Sequence, residues 1–267
     1  MTDSPAIVAR LRAAGCVFAE DEAALLAGAA GSPGELEAMV AARVRGLPLE
    51  QVVGWAEFRG LRILVDPGVF VPRRRSEFLV QVVISLATGP VIVDLCCGTG
   101  ALGLAVLVAL TEAGGRDAEL HAADLDPAAV ACARRNVEPA GGHVYQGDLF
   151  APVPARLRGR VDVLICNAPY VPTGEIAFMP PEARDHEARM ALDGGGDGLA
   201  VLRRAGAEAP RWLAPGGVLL VETSERQADP MAAAITAAGL VAGVHHDEET
   251  GATVVTGTAP AAAPRGR

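Results

Sequence analysis

The sequence predicts an α/β fold: an open, mostly parallel sheet preceded by a small helical module and a β-hairpin. Three observations predict it. From Pro90 onward, short apolar runs rich in β-branched residues alternate with stretches of helical character. The runs Val91–Leu95 and Val161–Cys166 are nearly unbroken, as strands buried on both faces of a parallel sheet are. Four of the runs end in Asp, Asn or Gly, and open α/β sheets bind ligands at the carboxyl ends of their strands.

The elements follow in order. Pro5 to Gly46 reads as two or three short helices. Ile7, Val8 and Leu11 form one apolar face closed by Gly15; Ser32-Pro33 with Glu35 starts another helix that runs to Gly46. Gln51 to Phe70 holds two strand-like runs, VVGWAEF and LRILVDP, separated by Arg59-Gly60, and is expected to form a hairpin. Arg73-Arg74-Arg75 precedes an apolar helix from Phe78 to Leu86. In the alternating region, strands are expected at 91–95, 119–124, 143–146, 161–167 and 217–222. A loop and helix are expected at 98–110, and helices at 127–137, 198–213 and 230–238. The runs 240–245 and 252–256 make a terminal hairpin, and the tail from Thr258 to Arg267 is expected to be disordered. The expected organisation is a helical module at 1–46, a hairpin linker at 47–74, the sheet domain at 75–257 and the tail at 258–267.

Composition bounds the partners. Of 267 residues, 51% are hydrophobic and only 4% aromatic, so a large core must be built from Ala, Val and Leu. All 23 basic residues are arginine, and the net charge of −9 argues against non-specific nucleic-acid binding. Five cysteines without a CxxC spacing indicate neither a disulfide framework nor a metal site, so no metal is expected. The segment MTDSPAIVARLRAAG lacks a signal-peptide core, and no apolar run approaches the ~20 residues of a membrane span. A cytoplasmic location is expected.

The chemistry centres on VDVLICNAPY at 161–170. A strand that ends in Asn167-Ala168-Pro169-Tyr170 presents an amide able to donate and accept. The Ala168 carbonyl has no ladder partner, because Pro169 stops the strand, and Tyr170 adds a flat ring. Together they can grip a planar NH2: one hydrogen to the Asn167 oxygen, one to the Ala168 carbonyl, the plane against Tyr170. A plain strand-ending turn is the competing reading of the same four residues. Asp94 closes the strand at 91–95, and Gly98 and Gly100 follow in a turn that lets backbone approach a nucleotide-like ligand. The spacing is DxxxGxG, not the GxGxxG of a pyrophosphate turn, and Asp94 would repel a phosphate. It favours a cation, such as the amino group and sulfonium of S-adenosylmethionine. Asp124 ends the next strand, where a nucleotide-binding fold places its ribose acceptor, and Asp126 with Pro127 reads as a helix cap. Asp148 could accept from an adenine amino group while Leu149 packs on the ring.

Asp94 to Gly100, Asp124, Asp148 and the tetrapeptide at 167–170 resemble the class I S-adenosylmethionine-dependent methyltransferases. More narrowly, the chain resembles the protein-(glutamine-N5) methyltransferases of the HemK/PrmC family, which modify peptide chain release factors. The stretches RVRGLPLEQVVGWAEFRG, VFVPRRRSEFLV, HEARMALDGGGDGL and APGGVLLVE carry the resemblance from Arg43 to Gly257. It implies a Rossmann-like seven-stranded sheet and S-adenosylmethionine as cofactor. Cys96, Gly98, Thr99, Gly100, Asp124, Leu125, Asp148, Leu149 and Asn167, with Asp94, would lie about the cofactor. Asn167, Ala168, Pro169 and Tyr170 would grip the acceptor, and a release factor is the implied partner, docked by the helical module. Two departures stand out. Ala168 replaces the family's first proline, and Arg74-Arg75-Ser76 stands within the segment that reads Pro-Arg-Pro-Glu-Thr-Glu in the family. A methyltransferase acting on another protein or on a nucleic-acid base, a catalytically idle cofactor-binding protein and an NAD-dependent dehydrogenase are the rivals; the glycine spacing disfavours the last. No general base is evident, and His186-Glu187 is expected to be a solvated loop pair.

Overall fold

A computed structural model describes residues 4–114 and 118–261; residues 1–3 and 262–267, where the expected tail mostly falls, lie outside the described residues. Three helices, α1 (Ser4–Ala13), α2 (Ala19–Ala29) and α3 (Pro33–Val44), pack around Leu11, Leu26 and Val40. Helix α3 starts where expected: Ser32 Oγ accepts the Glu35 N–H and Pro33 occupies the first turn.

The first difference from expectation follows. Leu49–Val53 is a short helix, α4, ended by Gly54 in the left-handed region, so Val52 and Val53 do not open a strand. Leu49, Val52 and Val53 pack against the apolar cluster of the preceding helices, and that burial outweighs the strand preference of paired valines. The hairpin is therefore shorter: β1 (Trp55–Phe58) and β2 (Leu61–Leu64) pair antiparallel across Arg59-Gly60, both at positive φ, as a two-residue hairpin turn requires.

Helix α5 (Glu77–Leu86) leads into a seven-stranded sheet. Its strands are β3 (Val91–Leu95), β4 (Glu119–Asp124), β5 (His143–Gln146), β6 (Val161–Cys166), β7 (Leu213–Thr223), β8 (Val241–Asp247) and β9 (Ala252–Thr258). They run in the order β5-β4-β3-β6-β7-β9-β8, with the first five mutually parallel and β9 antiparallel to both β7 and β8. Helices α6 (Ala101–Glu112) and α7 (Pro127–Val137) join α5 against one face; α8 (Pro181–His186) lies in the loop after β6; α9 (Ala200–Glu208) and α10 (Glu225–Ala237) complete the chain order. Side chains of β6 divide between the faces, Leu164 and Cys166 into one core, Val163 and Ile165 into the other.

Three boundaries move. Helix α9 ends at Glu208 and β7 starts at Leu213, so the expected long helix and short strand exchange residues. Helix α10 starts at Glu225, capped by reciprocal bonds between Ser224 and Gln227, and Pro230 lies inside it. A capping box supplies the start that the proline suggested. Thr258 belongs to β9, and Ala259 is buried with its N–H on the Gly217 carbonyl, so the sheet extends past the expected start of the tail.

Asn136 of α7 ties the hairpin to the sheet. Its Oδ1 accepts the Leu64 N–H at 2.9 Å, and its Nδ2 donates to Leu64 O at 3.0 Å and Thr99 O at 2.9 Å. One buried amide thus joins β2 to the glycine turn after β3. Asn136→Ala leaves these partners unpaired and is expected to cost about 1–3 kcal/mol in urea unfolding; a loss below about 0.5 kcal/mol would mean that water replaces the amide freely.

Candidate active site

The carboxyl ends of β3, β4, β5 and β6 surround one cavity of ≈ 250 Å³. The sequence placed Cys96, Gly98, Thr99, Asp124, Leu125, Asp148, Leu149 and the tetrapeptide at one edge, and all of them line this cavity. The turn after β3 needs its unusual backbone: Cys96, Gly98 and Gly100 all have positive φ. At Gly98 a Cβ would project into open space, which leaves the backbone exposed to a ligand.

Asp124 organises that turn. Its Oδ2 accepts the Gly98 N–H at 2.8 Å and its Oδ1 the Asp126 N–H at 2.9 Å. Burial raises its pKa, opposed by these backbone donors. Each oxygen keeps a lone pair for a further donor, such as a ribose hydroxyl. Leu149 is buried at a positive φ of 46°, which aims it into the cavity rim. Asp148 is paired with Arg204, Nη2 to Oδ2 at 2.5 Å, so an adenine amino group would share it with a guanidinium.

Two residues stand elsewhere than expected. Asp94 is buried behind the turn and does not line the cavity; its Oδ2 accepts the Gly103 N–H at 2.9 Å. The carboxylate that the sequence aims at a cationic ligand instead holds the first turn of α6. Gly100 also faces away: a Cβ there would meet Val137 Cγ2 at 2.6 Å, so this glycine lets α7 pack on the turn. Sequence spacing gave the right turn but not the direction each residue faces.

At the other end of the cavity Asn167 and Tyr170 share Glu222, the carboxylate of β7. Asn167 Nδ2 donates to Oε2 at 3.3 Å and Tyr170 Oη to Oε1 at 2.9 Å; Arg75 Nε donates to the same Oε1 at 3.2 Å and its Nη2 to Tyr170 Oη at 2.5 Å. The Arg75 guanidinium lies 5.8 Å from the Tyr170 ring centroid. Burial, with the Glu222 charge beside it, pushes the Tyr170 hydroxyl far above its usual range. Ala168 is buried on the cavity wall, and its carbonyl accepts no hydrogen bond from the described residues. Gln227 fastens the tetrapeptide from behind, donating to Tyr170 O at 2.8 Å, and Gly198 passes so close to that carbonyl that a Cβ would sit 2.2 Å from it.

The expected solvated pair is not one. Glu187 is buried, accepts the Val71 N–H at 3.1 Å and pairs with Arg73 at 2.6 Å. This pair, with Arg43 to Glu182 at 2.7 Å, binds the loop after the tetrapeptide to the linker and to α3. Sequence reading left Glu222, Arg75, Ser76 and Glu187 without roles. Only Glu222 carried a signal, as an acid ending a strand at the ligand-binding edge.

This chain is a methyltransferase. Residues 60–213 match the family model described as methyltransferase small domain. A methyltransferase structure from Pyrococcus furiosus aligns with a TM-score of 0.53 at 16% identity, covering 76% of this chain and 90% of that one, which shows the shared fold. Within that class the chain belongs to the release factor glutamine methyltransferase family. It is 39% identical over 194 residues to the member from Streptomyces coelicolor, covering 71% of this chain and 67% of the relative. With the member from Bifidobacterium longum it is 36% identical over 251 residues, covering 86% and 83%. A 4-amino-L-phenylalanine/4-methylamino-L-phenylalanine methyltransferase from Streptomyces pristinaespiralis is also 36% identical, over 72% of this chain and 66% of that one. Among the described residues no helix is long and apolar enough to cross a membrane.

Asp94 sets a pH dependence. Burial pushes its pKa up to about 7, and Oδ1 has no partner among the described residues. A folded pKa above the unfolded value of about 3.9 means stability present below about pH 4 and lost as pH rises through about 7. In ligand-free protein, Asp94→Asn keeps the acceptor for Gly103 and removes the charge. Its melting temperature relative to the native chain should therefore rise between about pH 5 and pH 8.5. A constant difference would show that Asp94 stays ionised.

Proposed function

We propose that this chain transfers a methyl group from S-adenosylmethionine to the side-chain amide nitrogen of a glutamine in a cytoplasmic protein, a peptide chain release factor. The observation that carries the reading is the pairing of two acceptors, Asn167 and the unpartnered Ala168 carbonyl, with Asp124 across one cavity. The family relationship supplies the substrate class.

The residues fit the cofactor. Asp124 is left with lone pairs for a diol, the Gly98 backbone is open to the cavity, and Leu149 and Leu125 offer apolar surface at its rim. When bound, the cofactor supplies an electrophilic methyl group. The chain's own work is alignment and polarisation. Asn167 Oδ1 and Ala168 O accept the two amide hydrogens, which holds the nitrogen lone pair in one direction. Both acceptors also stabilise positive charge developing on that nitrogen. The proton then leaves to water: Glu222, the carboxylate against the tetrapeptide, is occupied by Asn167, Tyr170 and Arg75. The helical module docks the protein acceptor: Arg43 links it to the loop that follows the tetrapeptide, and Val17 and Phe18 stand exposed on it.

A small aromatic amine is the second reading. The same two acceptors suit its NH2, and the relative from Streptomyces pristinaespiralis is named for such a substrate. Radiolabelled methyl transfer into cell extract, resolved by gel before and after protease and nuclease digestion, separates the readings. Label lost to protease supports the protein acceptor; label confined to small molecules or removed by nuclease refutes it.

Two substitutions divide the cavity. Asp124→Ala is expected to weaken cofactor binding by about 1.5–3 kcal/mol in calorimetry. Asn167→Ala is expected to lower turnover about 100- to 1,000-fold at unchanged cofactor affinity. The reverse pattern would exchange the two ends of the site.

A further inference from the structure

We propose that Glu222 is the positioning residue of the acceptor grip and that Arg75 is its counter-ion; the inference rests on the functional reading above. Cys166 and Val221 are register partners in β6 and β7, so Asn167, the first residue past β6, lies beside Glu222, which is still held in β7 by its pairing with Val254 of β9. The Glu222 side chain is only 3% exposed. Its three partners, Asn167, Tyr170 and Arg75, all border the cavity.

An ionised carboxylate only accepts. It can face the Asn167 amide at the nitrogen end alone. A rotated amide would set its oxygen against a carboxylate oxygen, with no proton between them, in a site shielded from water. Glu222 therefore turns Asn167 Oδ1 away from itself and leaves it free for a substrate N–H. Ser76 Oγ, 3.5 Å from Nδ2, stands on the same side but can donate as well as accept, so the choice rests on Glu222. Glu222 fixes Tyr170 in the same way: the hydroxyl gives its proton to Oε1 and must accept its other bond, which Arg75 supplies.

Arg75 keeps the buried charge paired. Without it the buried carboxylate would lose its cation and the Tyr170 hydroxyl the donor that fixes its orientation. The surface offered to the acceptor is then two oxygens and no donor. That pattern fits NH2 and rejects a carboxylate of the same shape, because like charges and unpaired acceptors would face each other. Glu222 thus decides that the site takes an amide and not the corresponding acid. It also gives the arginine run a use: Arg75 serves the grip, and Arg73 serves the buried Glu187.

The test is a double-mutant cycle on purified release factor with labelled S-adenosylmethionine. Glu222→Gln keeps size but adds an NH2 that can face either end of Asn167. It is expected to lower kcat by about 100-fold, with the cofactor KM within about twofold and the melting temperature nearly unchanged. Combined with Asn167→Ala it should add almost nothing, since both remove one function. Glu222→Asp, which keeps the charge, should retain more turnover than Glu222→Gln although it is the poorer match in size. Native-like turnover in Glu222→Gln, multiplicative losses in the double variant, or Gln outperforming Asp would each overturn the proposal. If Glu222→Gln fails to fold, Arg75→Met decides: it must lower kcat at intact cofactor affinity, and native-like turnover overturns the role. A native chain that methylates no release factor refutes the functional reading; an active native chain with an equally active Glu222→Gln refutes the positioning role alone.

Discussion

A carboxylate removed from water must find donors or give up its charge. Four of them stand at or just behind this site, on four different segments, and each holds a neighbouring segment by the donors it accepts; Asp94, with Oδ1 unpartnered among the described residues, is the one pushed toward its neutral form. Asp94 takes a backbone N–H from α6, Asp124 one from the glycine turn, Glu187 one from the linker together with Arg73, and Glu222 the side chains of Asn167, Tyr170 and Arg75. The sheet supplies three of the four directly, at the ends of β3, β4 and β7. Parallel strands end together at one edge, so buried acids there become fixed points for the loops that form a pocket.

The two ends of the cavity are held differently. The end proposed for the cofactor depends on local structure: a short glycine turn, one carboxylate and α7 packed on Gly100 through Val137. The end proposed for the acceptor depends on contacts across long stretches of chain. Arg43 reaches Glu182, Arg73 reaches Glu187 and Arg75 reaches Glu222, so the helical module, the linker and β7 all converge on the loop around the tetrapeptide. This division suits an enzyme that keeps one cofactor while its acceptor surface adapts to a protein. It also limits what Ala168 costs. The missing proline removes one backbone restriction, but Gln227, Gly198 and Glu222 hold the tetrapeptide from three sides.

Most of the sheet was legible because its central strands β3 and β6 are nearly unbroken apolar runs and the parallel strands close on recognisable turns. The Ser32 and Asp126 caps were legible for a similar reason, since capping is local chemistry. Helix α4 was not: Val52 and Val53 favour a strand, and only burial against the first three helices makes them helical. Asp94 and Gly100 were assigned to the right turn but the wrong direction, because facing is set by α6 and α7. Glu187 read as solvated and Arg75 as unassigned because their partners lie 114 and 147 residues away in sequence. Pairings at such distances have no local signature.

The central claim is that this edge of the sheet presents two oxygen acceptors to a planar NH2 opposite a cofactor held by Asp124. Tandem mass spectrometry of a release factor, incubated with the enzyme and methyl-labelled S-adenosylmethionine, tests it directly by locating the transferred methyl. The account predicts a single methyl on the side-chain nitrogen of a glutamine, absent when that glutamine is replaced by glutamate. A methyl on a carboxylate, a hydroxyl or a cationic amine would contradict it.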